Sequence, residues 1–121
     1  MSQARGPHRR AAKRRAPVFA ALGDETRLAL VAKLSGGECF SISQLAAFCA
    51  ARAGGTKLTR QAITKHLRVL EGAGIVRCER RGRERLFEFD PEPVDEMKEY
   101  LASVSQRWDE ALGRLKLFVE G

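Results

Sequence analysis

Between residues 60 and 68 the chain sets Arg60, Gln61, Thr64, Lys65 and Arg68 on one side of a helical repeat. An arginine fork matches paired acceptors, either guanine O6 and N7 or the oxygens of a phosphate, and a glutamine amide matches adenine N6 and N7. Thr64 offers a hydroxyl and a methyl. Lys65 and Arg68, farther along and farther round, suit phosphates, which fix register without reading sequence. A second basic group surrounds Gly82, where Arg80, Arg81, Arg83 and Arg85 are interleaved with Glu79 and Glu84. An arginine-rimmed turn of this kind suits the minor groove or its phosphates, with one arginine expected to pair with a neighbouring glutamate. A polar helix face taken alone is commonly just a solvated surface. Beside an arginine-rich hairpin, it points to a polyanion.

Positioning these groups requires particular elements. Thr59 can cap a helix from Arg60 to about Gly72, with Ile63, Leu67 and Leu70 as its inward stripe and His66 between that stripe and the polar side. A lone histidine there is expected to be half-buried, hydrogen-bonded or phosphate-contacting. After Gly72, Ala73 and Gly74 the pattern changes period, and Ile75, Val76, Cys78, then Leu86, Phe87 and Phe89 read as a hairpin with Gly82 at its tip. Upstream, Ser43 can cap a helix from Gln44 to about Ala53 that buries Leu45, Phe48 and Cys49. A brief strand is expected at Cys39, Phe40 and Ile42. Before it, Val18, Phe19 and Leu22 belong to one short helix, and Leu28, Val31 and Leu34 to another capped by Asp24. Two helices joined by a connection and followed by a basic hairpin form a winged helix-turn-helix. The expected class is mainly α with a small β-hairpin wing, in the order α1-α2-(short β)-α3-α4-β-β-α5.

The final segment starts at Asp90 and Pro91, a cap followed by a proline suited to a first turn. Val94, Met97, Leu101, Val104, Trp108, Ala111, Leu115 and Phe118 then recur at alternating spacings of three and four residues, a heptad-type seam. So long a stripe exceeds what a small domain can cover, and its expected partner is the same helix of a second subunit. The chain therefore divides into a basic, irregular arm (1–16), a winged helix-turn-helix core (17–90) and a dimerisation helix (91–121).

Composition supports this plan. Of 121 residues, 44% are hydrophobic and 31% charged, with a formal net charge of +7. Residues 1–15 hold six basic side chains and no acid, residues 57–85 nine basic and three acidic, and residues 86–121 four basic and nine acidic. One face is thus expected to meet a polyanion while another does not. No apolar run approaches a membrane span, which gives a cytoplasmic expectation. Cys39, Cys49 and Cys78 show no metal-ligand or dithiol spacing, so reduced thiols are expected. No nucleophile, cofactor loop or metal triad suggests an enzyme, and neither a metal nor a cofactor is expected.

The runs FAALGDETRLALVAKL (19–34), LTRQAITKHLRVLEGAGIV (58–76) and RRGRERLFEFD (80–90) resemble the ArsR/SmtB family of bacterial winged-helix repressors. The resemblance implies a homodimer built through the first and last helices, and only through it do Val18, Phe19 and Leu22 of the first helix join the expected dimer interface. It also implies a palindromic double-stranded DNA operator and, in many members, release by a ligand. It places the recognition helix on Thr59, Arg60, Gln61, Thr64, Lys65 and His66, and the wing on Arg80 to Arg85. The family's metal-sensing pattern does not carry over. Ser41 and Ser43 occupy its cysteine positions and Gln44 its acidic one, while residues 91–121 contain no histidine. Hydroxyls replace thiolates poorly toward soft metals. Two other readings were weighed: a thiol- or metal-responsive DNA-binding sensor using Cys39 and Cys49, and a dimeric protein-interaction module without sequence-specific DNA binding. The operator and any small-molecule effector are not specified by the sequence.

Overall fold

The computed structural model describes residues 7–52 and 58–120, with side chains from Arg15 onward. Its elements are α1 (Pro7–Leu22), α2 (Glu25–Leu34), β1 (Phe40–Ser41), α3 (Ile42–Arg52), α4 (Arg60–Gly72), β2 (Val76–Arg81), β3 (Glu84–Phe89) and α5 (Glu92–Glu120). This is the expected order, a mainly helical winged helix-turn-helix with an antiparallel wing.

Local chemistry explains most boundaries. The Asp24 carboxylate accepts from the Arg27 N–H at the start of α2, and Thr59 Oγ1 accepts from the Ala62 N–H at the start of α4, both ordinary N-caps. Asp90 Oδ1 accepts from the Glu92 N–H where α5 begins. Two boundaries differ from expectation. The first helix begins at Pro7 rather than Pro17, so residues 7–16 of the expected irregular arm are helical. Proline is suited to a first helical position, and the alanines, lysine and arginines after it are strong helix formers, which outweighs their shared charge. Residues 1–6 of that arm lie outside the described residues. The cap of α3 is Ser41, not Ser43: Ser41 Oγ accepts from the Gln44 N–H while Gln44 Oε1 accepts from the Ser41 N–H. This reciprocal capping box starts the helix earlier than expected. The connection leading from α3 to Leu58 falls outside the described residues.

The three strands are ordered β1-β3-β2, all antiparallel. In the wing, Val76 faces Phe89, Cys78 faces Phe87 and Arg80 faces Arg85. The alternate pairs are Arg77 with Glu88, Glu79 with Leu86 and Arg81 with Glu84. Gly82, at φ 63°, opens the two-residue turn, the left-handed position that such hairpin loops demand. One core joins all the layers: Val18 and Ala21 of α1, Leu30 and Leu34 of α2, Leu45 and Cys49 of α3, Ile63, Leu67 and Leu70 of α4, Ile75, Val76 and Phe87 of the sheet region, and Met97 of α5. The three α4 residues are fully buried and lock one side of that helix inward, which turns its polar side out.

Candidate nucleic-acid interface

Arg60, Gln61, Thr64, Lys65 and Arg68 line one shallow depression on the outer side of α4, opposite the buried Ile63/Leu67/Leu70 stripe. Arg60, Gln61, Lys65 and Arg68 are exposed, and no acid among the described residues pairs with the three basic ones. Thr64 Oγ1 donates to the Arg60 carbonyl at 2.8 Å. With that proton engaged, its methyl and remaining lone pair are what it can offer an outside partner. Thr59, also expected to contact DNA, has its hydroxyl oxygen occupied by the helix cap.

His66 is half-buried and hydrogen-bonded, one of the roles expected of it. Its Nδ1 lies 3.1 Å from Arg27 NH1 and 3.8 Å from the Asp24 carboxylate. A guanidinium only donates, so Nδ1 is the acceptor in the contact with Arg27. Arg27 also donates from Nε to the Ala21 carbonyl at 2.6 Å and from NH2 to the Ala20 carbonyl. Asp24, Arg27 and His66 thus tie the end of α1, the start of α2 and the side of α4 together. The Arg27 N–H bond holds the Asp24 carboxyl below its ordinary value, against some desolvation, with help from nearby positive charge, the Arg27 guanidinium included. Sequence reasoning assigned Arg27 no role. The signal was present as a charged side chain three residues after a capping aspartate, but its partners on α1 and α4 are long-range.

The wing arginines divide into two sets. Arg77 donates to Glu88 at 2.6 Å and Arg81 to Glu79 at 3.4 Å, so the expected glutamate pairing falls on Arg81. Arg80, Arg83 and Arg85 are exposed and have no acidic partner among the described residues. Arg83 and Arg85 share a cleft with Arg60, bounded by Ser41, Ile42, Ser43 and Glu84. The recognition helix and the wing therefore present cations to a common side.

The expected dimer residues also divide. Val18 is 0% and Met97 3% exposed within the single chain, so neither is free for a second copy. Both were expected in the interface, Met97 from the seam's spacing and Val18 from the family resemblance, but α1 and α5 use them to close their own core. Leu22 and Val94 pack, half-buried, against that same core. Phe19, Leu101, Trp108, Leu115 and Phe118 are exposed, Trp108 at 63% and Phe118 at 84%. Val104 and Ala111 are half-buried and line a groove with Tyr100, Arg107 and Trp108. At the root of this surface Phe19 meets Tyr100 edge-on at 6.4 Å, and the Arg15 guanidinium lies 4.0 Å over the Tyr100 ring.

The cysteines are free. Burial raises the Cys49 thiol above its ordinary value. Cys39 is raised by desolvation and by Glu88, to which its Sγ donates at 3.5 Å. Both shifts favour the unreactive thiol over the thiolate that metals and oxidants attack. Among the described residues no three His, Cys, Asp or Glu side chains gather to hold a metal ion. No helix among them is long and apolar enough to cross a membrane.

An exposed polar helix over a buried stripe, followed by a basic hairpin, defines a winged helix-turn-helix DNA-binding protein. A family described as a helix-turn-helix domain matches residues 22–79. The chain is 39% identical over 77 residues to an HTH-type transcriptional regulator of Bacillus subtilis (strain 168), YuzN, covering 64% of this chain and 83% of that protein. It superposes on the ArsR-like transcriptional regulator from Rhodococcus sp. RHA1 with a TM-score of 0.72 at 32% identity, covering 89% of this chain and 92% of that one. A structure described as a possible transcriptional regulator for arsenical resistance gives a TM-score of 0.58 at 30% identity, with 70% and 80% covered. The protein belongs to the ArsR/SmtB-like winged helix-turn-helix transcriptional regulators, in a form with no evident metal-binding Cys/His cluster among the described residues. Members of this family are regulators and not enzymes.

Proposed function

We propose that the chain is a cytoplasmic, homodimeric repressor that docks two copies of α4 into successive major-groove half-sites of a palindromic operator, about 34 to 36 Å apart. The single observation that carries this reading is the outward set of Arg60, Gln61, Lys65 and Arg68, cationic or amide side chains without acidic partners among the described residues, held on a helix whose opposite side is fully buried. Gln61 and Thr64 are the base-reading candidates and Lys65 and Arg68 the phosphate contacts. Dimerisation uses the exposed outer half of α5, from Leu101 through Phe118. Fully burying a Leu- or Phe-sized side chain is worth about 1.5 to 3 kcal/mol, a driving force that a single copy leaves unused. Occupying the operator blocks the promoter.

The test is a fluorescence-anisotropy titration of the protein against its own upstream intergenic DNA and a scrambled duplex, at two salt concentrations. The Arg60→Ala/Gln61→Ala double variant is run alongside. The expected result is a preference for the natural duplex of about 10³ or more, lost in the variant. Equal, steeply salt-dependent binding to both duplexes would count against an operator at that location.

A further inference from the structure

We propose that Arg60, Arg83 and Arg85 form a seat for a single DNA backbone phosphate, so that Arg60 positions the recognition helix and reads no base. The inference rests on the DNA-binding reading above and assigns roles within it. Two independent features carry it.

The first is the cleft between α3, α4 and the wing. Arg60 comes from the first turn of α4, Arg83 and Arg85 from the wing, and Ser41, Ile42 and Ser43 from the start of α3; together they bound about 320 Å³. Glu84 is its one acid. Three arginines, one from α4 and two from the wing, line one cleft beside the start of a helix, and none has an acidic partner among the described residues. That combination suits a compact anion with several acceptor oxygens. A base edge offers a flat pair of acceptors and would need Arg60 directed along the groove, away from the wing.

The second feature is the register of the wing. Arg80 stands directly opposite Arg85, on the sheet face that farther along carries Cys78, Phe87, Val76 and Phe89. The hairpin's ion pairs, Arg77 with Glu88 and Arg81 with Glu79, involve positions of the other face. Like charges directly opposite across strands are destabilising. Here the repulsion is left without an acid on the same face, so an anion bound beside Arg85 relieves it.

The probes are a duplex enriched from random sequence by the wild-type protein and a scrambled duplex of the same composition. Each binds Arg60→Ala, Arg83→Ala, Arg85→Ala and Gln61→Ala across a series of salt concentrations. Each arginine variant is expected to weaken both duplexes by the same factor, and removal of all three together is expected to reduce the slope of log affinity against log salt by about 1 in total, because they share one phosphate. Gln61→Ala is expected to weaken the enriched duplex alone. Arg60→Ala weakening only the enriched duplex, at an unchanged salt slope, would overturn the seat and make Arg60 a base reader while leaving the regulator reading intact. Failure to enrich any sequence, with the arginine variants still flattening the salt dependence on bulk duplex, would keep the seat and defeat the operator reading. Binding to no duplex would defeat both. The free protein supplies a second readout: Arg85→Gln is expected to raise Tm at low salt and to lose that gain at high salt. An unchanged or lower Tm would remove the like-charge argument and overturn the proposal.

Discussion

Asp24 and Arg27 join three helices through two side chains, and their effects are separable. Asp24→Ala removes the cap of α2 and is expected to cost about 1 kcal/mol in urea denaturation. Asp24→Asn keeps the cap and removes the charge. The folded-state pKa of Asp24 is depressed below the ordinary 3.8, so its ionised form stabilises the fold above that value. The contribution is lost as pH falls through the lower folded value. The difference in Tm between wild type and Asp24→Asn is therefore expected to vanish in strong acid and to be fully present near neutrality. Arg27→Met keeps the aliphatic stem but removes the donors to Ala20, Ala21 and His66. Charged hydrogen bonds of this kind are worth about 1.5 to 3 kcal/mol each at most, and the loss should appear as a lower urea midpoint. Cys49, buried at 3% exposure, is expected to react with a thiol reagent only after unfolding, whereas half-buried Cys78 reacts in the native state and Cys39, its thiol held by Glu88, reacts there more slowly. Native labelling of all three at one rate would contradict this packing.

At the scale of elements, α4 shows how far periodicity reaches. Its cap, its length and its buried stripe were legible because each depends on residues within four positions of one another. Leu67→Ala, at the centre of that stripe, is expected to cost about 2 to 5 kcal/mol. It should weaken DNA binding only in proportion to the unfolded fraction, which circular dichroism measures alongside anisotropy. The start of α3 was less legible. Ser41 and Ser43 are both competent caps, and the choice fell on Ser41 because only it has Gln44 three residues on to return the hydrogen bond. In the wing, the glycine-tipped turn could be read directly. Gly82→Ala meets open space around its new Cβ, so its cost comes from the backbone alone and is expected to be about 1 to 2 kcal/mol in local wing stability, visible as faster amide exchange of β2 and β3.

At the scale of the whole molecule, the decisive feature is α5. Its 29 residues span about 43 Å at 1.5 Å per residue, and only the first two turns reach the core through Pro93 and Met97. Beyond them Leu101, Trp108, Leu115 and Phe118 of the apolar seam are exposed. The double variant Trp108→Asp/Phe118→Asp is expected to be monomeric by light scattering with an unchanged helical content, and to bind a two-half-site duplex far more weakly. A dimer that persists in this variant would place the interface elsewhere. The heptad spacing announced a long seam, yet the spacing is identical for Met97, which is buried within the chain, and for Leu115, which is not.

The sequence by itself determined the order of the helices, the caps of α2 and α4, the hairpin, the outward polar set on α4 and the family, because these follow from backbone periodicity, short-range hydrogen bonds and residue order. Only the tertiary structure decided which seam residues close the core, that His66 turns inward to Arg27, and which wing arginines are neutralised. Those outcomes depend on what lies across a gap in space, from α1 to α5, from α2 to α4, and from one strand to the next, where sequence separation carries no information about distance.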